Sequence, residues 1–296
     1  MIMPKTLSHL RRSAQVFAVS LLLAAPAAAG PADAQLAETV AKTESRLNAR
    51  VGVVLHDTGS GWSWANRADE RFLMNSTIKT PICGAILSAA DAGTLTLDEE
   101  LPVLQSDIVS YAPVTEKKVG QSMSLSELCL ATIDMSDNTA ANLLINRLGG
   151  TEAVTEFFRS TGDTVSRLDR LEPDLNTFKS GDPRDTTSPA AMAATLEKLL
   201  LGDVLSPQSR NQLIEWMSHG GVTGALLRKT APEGWHIADK SGSGDQTRNI
   251  IAMITPPDRA PWIAVIFVSD VKADFATRNG ALQDISAAVI DVIKAH

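Results

Sequence analysis

Cysteine and histidine are scarce in this chain of 296 residues, with two of the former and five of the latter. The histidines are scattered and no cysteine–histidine cluster exists, so neither a metal site nor a cofactor is expected. Two cysteines are far too few for a disulfide-built scaffold. In an exported protein Cys83 and Cys129 read as one bridge; the alternative is a pair of buried free thiols. There is no basic excess either: 27 Lys and Arg stand against 34 Asp and Glu, a net charge of −7. That balance argues against nucleic acid and against an anionic membrane surface as partners. The apolar run Val16 to Ala25 falls short of the ~20 residues a membrane span needs. No stable membrane association is expected, and a monomer is.

What that run does fit is an export leader. Lys5, Arg11 and Arg12 precede it, and small residues follow, with Ala-x-Ala ends at Ala27–Ala29 and Ala32–Ala34. Residues 1–34 are therefore expected to be a signal peptide, cleaved after Ala34 or alternatively after Ala29, which places the protein in the periplasm. Loss of those residues removes three positive charges and one negative and leaves a net charge of −9. The remaining chain is long enough for one large or two interlocked domains.

Helical periodicity runs from Leu36 to Leu47. Val51–Leu55, the Thr58–Gly61 turn and Trp62–Trp64 then read as a hairpin. From Ile78 to Met217, alanine- and leucine-rich stretches alternate with Gly, Pro and Asp breaks. Strand texture returns at Trp235–Ala238, Ile250–Ile254 and Trp262–Val268, and a helix from about Ala276 to Ile293 closes the chain. The economical arrangement is α+β: an antiparallel five-stranded sheet with flanking terminal helices, made from residues 35–67 and 218–296. An all-helical domain, 68–217, is inserted into it. The cleft between the two is the expected place for a site.

Four short words carry chemistry. Ser76 and Lys79 are spaced to share one face at a helix start, where backbone N–H groups can bind an oxyanion and a lysine can activate a hydroxyl. Ser76 as a simple helix cap is the bland alternative. Ser136-Asp137-Asn138 interrupts helical texture and offers a hydroxyl and an amide, or a cap for a helix from Thr139 to Leu148. Glu172-Pro173-Asp174-Leu175-Asn176 puts a carboxylate in a tight loop, with Asn176 as a partner for holding water. Pro173 raises the prospect of a cis turn. Arg170 and Asp185 flank that loop and are placed to pair across its neck, a pair worth little if solvated. Lys-Ser-Gly occurs twice; Lys179–Gly181 reads as loop, whereas Lys240-Ser241-Gly242 follows a strand and precedes the turn Ser243-Gly244-Asp245. There Lys240 and Ser241 can hold a carboxylate, and the backbone of Ser243 can pair with an extended substrate.

Ser-x-x-Lys, Ser-Asp-Asn and a Lys-Ser/Thr-Gly word are together the signature of class A β-lactamases and penicillin-binding proteins. With Glu-x-x-Leu-Asn in between, the chain resembles a class A serine β-lactamase from about Gln35 to its end. The flanks Val222-Thr223-Gly224, Trp235 and Ile237-Ala238-Asp239 agree, as does the 170–185 omega loop. The resemblance implies Ser76 as acylated nucleophile, Lys79 in its activation, Ser136 as proton relay and Glu172 with Asn176 as holder of the hydrolytic water. It implies Ser76 and Ser243 N–H groups as oxyanion hole, Asn138 as amide binder and Tyr111 as cleft gate. Lys240, Ser241, Gly242, Ser243 and Arg248 would form the substrate wall, with Cys83–Cys129 a disulfide. Hydrolysis of penicillins is then expected, carbenicillin and some cephalosporins included, with antibiotic resistance as the outcome. A D-Ala-D-Ala peptidase and a non-hydrolysing β-lactam receptor are the alternatives. Asn75, before the nucleophile, departs from the apolar or thiol residue of several members, and Leu171 stands where tryptophan is common.

Overall fold

The computed structural model describes residues 30–296; most of the expected leader, through Ala29, lies outside the described residues. The first helix, α1 (Pro31–Leu47), begins five residues before the periodicity suggested. Pro31 presets the helical φ of the first turn, and the Asp33 carboxylate accepts from Gly30 N at 2.9 Å. Neither signal is apolar, so a reading based on periodicity passes over both.

Five long strands follow in two groups: β1 (Arg50–Asp57) and β2 (Ser63–Asn66) early, then β3 (His236–Gly244), β4 (Thr247–Thr255) and β5 (Trp262–Ser269); the segment between them is not all-helical, for Phe72–Leu73 pairs with Thr186–Thr187 and Glu100–Pro102 with Ser122–Ser124. The five form one sheet in the order β2-β1-β5-β4-β3, antiparallel throughout, so the expected α+β arrangement is the one found. Both faces are covered, and the period of two shares out the side chains. Val53, Leu55, Ile250, Ala252, Ile266 and Val268 face α1 and the last helix, α8 (Phe275–Ala295). Val54, Ile251, Met253, Val265 and Phe267 join the core of the helical segment instead. Strands buried on both faces read as continuous apolar runs, which is how they appear in the sequence.

The long helices between the two strand groups are α2 (Lys79–Asp91), α3 (Leu125–Asp134), α4 (Asn138–Leu148), α5 (Thr151–Ser160), α6 (Pro189–Leu200) and α7 (Pro207–Ser218), with one further turn of helix at Leu227–Thr230. Ile82, Ile86, Leu128, Leu144, Phe158 and Leu199 are wholly buried where these helices meet. Cys83 and Cys129 lie in that core as free thiols, which corrects the expected bridge. The Cys83 thiol is directed at the Cys129 carbonyl, 3.8 Å away, and burial raises the Cys129 thiol well above its ordinary pKa. Both act as small apolar side chains.

Arg170 and Asp185 pair across the neck of the 170–185 loop as expected, with the carboxylate buried rather than solvated. Asp185 is buried, and its carboxylate accepts from Asp169 N at 2.8 Å, Arg170 N at 2.9 Å and Arg170 Nε at 2.5 Å. Three charge-assisted bonds to one desolvated carboxylate make this a fixed hinge post rather than a weak surface pair.

Candidate active site

β3 is an edge strand, and it is longer than the sequence suggested. Lys240, Ser241, Gly242 and Ser243 are inside it, and the turn to β4 is only Asp245-Gln246. Its outer side runs past the first turn of the helical segment, where Asn75–Ile78 form a short 3-10 turn leading into α2. The approach is close: a Cβ on Gly242 would lie 2.9 Å from Met74 O and 3.1 Å from Ser76 N. Only glycine allows the strand to reach the backbone of Ser76. Lys179–Gly181, the second Lys-Ser-Gly, is exposed in the 170–185 loop and remote from this strand.

A cleft of about 430 Å³ opens between these elements. Ser76, Tyr111, Ser136, Asn138, Asn176, Ser241, Gly242, Ser243 and Arg248 line it, together with Val222 and Phe275. Lys79, Glu172 and Lys240 lie beneath its floor, essentially without solvent exposure. The structure therefore brings together every residue singled out for the site. Three residues at or beside the cleft, Asn75, Tyr111 and Ser136, have left-handed backbone with φ of +50°, +62° and +57°. Non-glycine residues rarely adopt it, and such conformations concentrate where the surroundings over-determine the chain.

Lys79 is the hub. Its Nζ lies 2.6 Å from Asn138 Oδ1, 2.8 Å from Ser136 O, 3.3 Å from Ser136 Oγ and 3.0 Å from Glu172 Oε1. The Glu172 contact is one of charge: Oε1 accepts no directed hydrogen bond from the protein. Burial pulls the Lys79 pKa below its ordinary value, and the Glu172 charge only partly offsets that. Lys240 Nζ donates to Ser136 Oγ at 3.0 Å and to Ser241 O at 2.8 Å. Its pKa falls well below the usual lysine range, because it is buried and because Lys79 and Arg248 are cationic neighbours. Ser136 Oγ thus accepts from two lysines, which leaves its own O–H free to donate.

Glu172 is fixed from three sides. Asn142 donates from Nδ2 to Glu172 O at 2.8 Å and accepts Glu172 N at 2.9 Å, and Asn176 Nδ2 donates to Glu172 Oε2 at 2.5 Å. The Glu172–Pro173 bond is cis, as the proline suggested. The Ser-Asp-Asn word does both things the sequence allowed, divided among its residues. Asp137 caps α4 through Ala140 N at 2.9 Å and accepts from Thr115 N, Thr115 Oγ1 and Val114 N. Ser136 and Asn138 face Lys79. Asn138 Nδ2 is taken by Ser110 O at 2.8 Å, and the Tyr111 carbonyl accepts Asn138 N, so the exposed Tyr111 ring is held at the rim.

On the sheet side, Arg248 donates from Nη1 to Gly242 O at 3.0 Å and from Nε to Asn279 Oδ1 at 3.0 Å. Its guanidinium stands 5.3 Å from the centre of the exposed Phe275 ring. Burial and Arg278 bring its pKa down to about 10. Sequence reading missed Asn142, Asn279 and Phe275. Isolated asparagines in helices and an aromatic at a helix start carry no local signal; only their contacts reveal them.

The geometry places a hydroxyl, two desolvated lysines and a held carboxylate around one cleft, which is equipment for nucleophilic acyl chemistry. The model of the β-lactamase enzyme family matches residues 33–293. The chain belongs to that family. A β-lactamase of Rhodobacter capsulatus is 60% identical over 289 residues, spanning 98% of this chain and 99% of the relative. Among solved structures, a β-lactamase from Xanthomonas campestris pv. campestris has a TM-score of 0.86 at 45% identity, covering 88% of this chain and 98% of its own. A class A β-lactamase for the last common ancestor of Gram-negative bacteria has a TM-score of 0.85 at 47% identity, covering 87% and 99%. The fold of this family member is accordingly that of the class A β-lactamases.

Proposed function

We propose that this β-lactamase family member hydrolyses penicillins, carbenicillin and some cephalosporins included, through an ester on Ser76, and so confers resistance. The observation that carries the reading is Lys79 Nζ within 3.3 Å of Ser136, Asn138 and Glu172 at once, beneath a cleft lined by Ser76. Ser76 Oγ attacks the lactam carbonyl and gives up its proton towards the Lys79–Glu172 pair. The Ser76 and Ser243 N–H groups receive the oxyanion. As the C–N bond breaks, the free O–H of Ser136 protonates the departing nitrogen. Lys79 then passes to Ser136 the proton taken from Ser76, which leaves Glu172 a carboxylate for the next step. Glu172, aimed by Asn176, next takes a proton from water, whose oxygen attacks the ester; Ser76 leaves with the proton and the ring-opened acid is freed. Lys240, Ser241 and Arg248 face the substrate carboxylate, Asn138 its side-chain amide, and Tyr111 closes the rim.

Glu172 held by Asn176 favours hydrolysis over a D-Ala-D-Ala peptidase or a receptor that stays acylated. Parallel assays with nitrocefin, benzylpenicillin and a D-Ala-D-Ala peptide test this: turnover of the two lactams alone is expected. Turnover of the peptide, or a stable adduct without turnover, would defeat it.

The proposal includes export to the periplasm as a monomer, with the inserted helical segment 68–217 as a domain. A leader ending at Ala29 suits the fold better than one ending at Ala34. Asp33 is buried, bonds Gly30 N and lies 3.0 Å from His296 Nε2, tying α1 to the chain's end. Sequencing the mature N-terminus should give Gly30 rather than Gln35.

A further inference from the structure

Asn75 departs from the apolar or thiol residue that several members carry before the nucleophile, yet it is wholly buried and its amide makes three hydrogen bonds. Its Oδ1 accepts from Thr247 Oγ1 at 2.7 Å and Asn249 Nδ2 at 3.0 Å, and its Nδ2 donates to Asn176 Oδ1 at 3.1 Å. Asn176 Nδ2 in turn donates to Glu172 Oε2 at 2.5 Å. Each amide has one orientation that works. Thr247 and Asn249 present donors, so Asn75 must turn its oxygen to them and its NH₂ to Asn176. Asn176 must then turn its own NH₂ to the carboxylate. No spare room exists beside the relay, for a Cβ on Gly244 would lie 2.7 Å from Asn75 Nδ2 and 2.8 Å from Asn176 O.

We propose that Asn75 is a positioning residue for deacylation: it passes the orientation set by β4 through Asn176 to Glu172. The neighbouring residue of the nucleophile thereby aims the group that removes the ester from that nucleophile. Without the Asn75 donor, Asn176 Oδ1 is an unpaired acceptor. Its NH₂ already has a second acceptor, Pro173 O at 3.3 Å, to turn towards. Glu172 then loses the bond that holds Oε2. Acylation is touched less, because Lys79, Ser136 and Asn138 bond neither Asn75 nor Asn176, and Lys79, although 3.0 Å from Glu172 Oε1, keeps its bonds to Ser136 and Asn138.

The inference rests on Glu172 as the water-activating base. Its test is therefore run beside Glu172→Gln, which must accumulate a Ser76 ester with benzylpenicillin; if it turns over at the parent rate, that underlying reading fails. Acylation and deacylation rate constants are measured separately by rapid quench and intact-mass detection for Asn75→Ala and Asn75→Asp. The aspartate is isosteric and keeps the acceptor for Thr247 and Asn249 but puts a carboxylate oxygen, with its charge, where the donor to Asn176 stood; the alanine removes that donor without adding charge. Deacylation is expected to fall about tenfold or more, with acylation changed less than about threefold. In an Asn176→Ala background, the change at Asn75 should cost no further deacylation. Parallel loss of both constants, no loss in either, or additive loss with Asn176→Ala would overturn the role of Asn75 while leaving the reading of Glu172 intact.

Discussion

Lys79 Nζ and Glu172 Oε1 stand 3.0 Å apart with neither side chain exposed, so each decides how readily the other holds its charge. Glu172 is the largest influence raising the Lys79 pKa against the downward pull of burial. Removing that charge lets Lys79 lose its proton at lower pH. In Glu172→Gln, the rise of the acylation rate with pH is therefore expected to move to lower pH while deacylation stalls by ~10²–10⁴-fold. Single-turnover acylation followed from pH 5 to 9 checks this. An acylation step that vanishes in the variant would instead assign Glu172, not Lys79, as the base for both steps.

Lys240 carries a stability cost of known sign. Its folded pKa is depressed by burial and by neighbouring cations, so below the ordinary lysine range the unfolded chain binds the extra proton. The folded state is penalised there, and the penalty fades as pH rises towards that range. Lys240→Met removes the titration. Its stability relative to the parent, by urea unfolding, should be most favourable at low pH and decline steadily towards pH 10. Turnover of carboxylate-bearing lactams should fall at every pH, since the donor to Ser136 Oγ is gone.

Arg228 and Asp239 make a second ion pair, behind β3. Arg228 Nη2 lies 2.9 Å from an Asp239 carboxylate that has no exposure and whose pKa is raised by burial despite the arginine. Breaking one side of a buried pair costs about 3–5 kcal/mol. Arg228→Ala should lose about that much at pH 7. The loss should shrink in acid, where Asp239 takes up a proton and the unpaired charge disappears. Denaturation at pH 4.5 and 7 gives the comparison.

Phe275 is exposed, yet its ring lies beneath the Arg248 guanidinium. An exposed cation–ring contact contributes about 0.5–1 kcal/mol. Phe275→Ala should therefore raise KM for benzylpenicillin about two- to fivefold, with kcat nearly unchanged. A fall in kcat alone would show that the ring acts on the chemistry and not on the arginine's placement.

Much of this molecule was legible along the chain. The strands at 250–254 and 262–268 announced themselves because burial on both faces leaves no polar positions. The four chemical words were legible because each packs several reactive residue types into a few positions. Other features were not. Helix α1 starts at Pro31 on capping and proline chemistry, and β3 runs through Lys240 to Gly244 because pairing with β4 overrides the turn-like composition of Ser243–Asp245. Nor did the chain show that Cys83 and Cys129 are free thiols, with the Cys83 sulfur 3.8 Å from the Cys129 carbonyl.

The sequence by itself determined the apolar runs that make the sheet, the helical texture between its halves, and which residues carry the chemistry. Tertiary structure alone decided their state. Desolvation lowers the proton affinity of Lys79 and Lys240, and Asn142 from α4 holds the Glu172 backbone while Asn176 holds its carboxylate. Asn75 becomes a link only because β4 lies against it. Proton affinity and orientation depend on what surrounds a group in space, and those neighbours are up to 174 positions away in the chain.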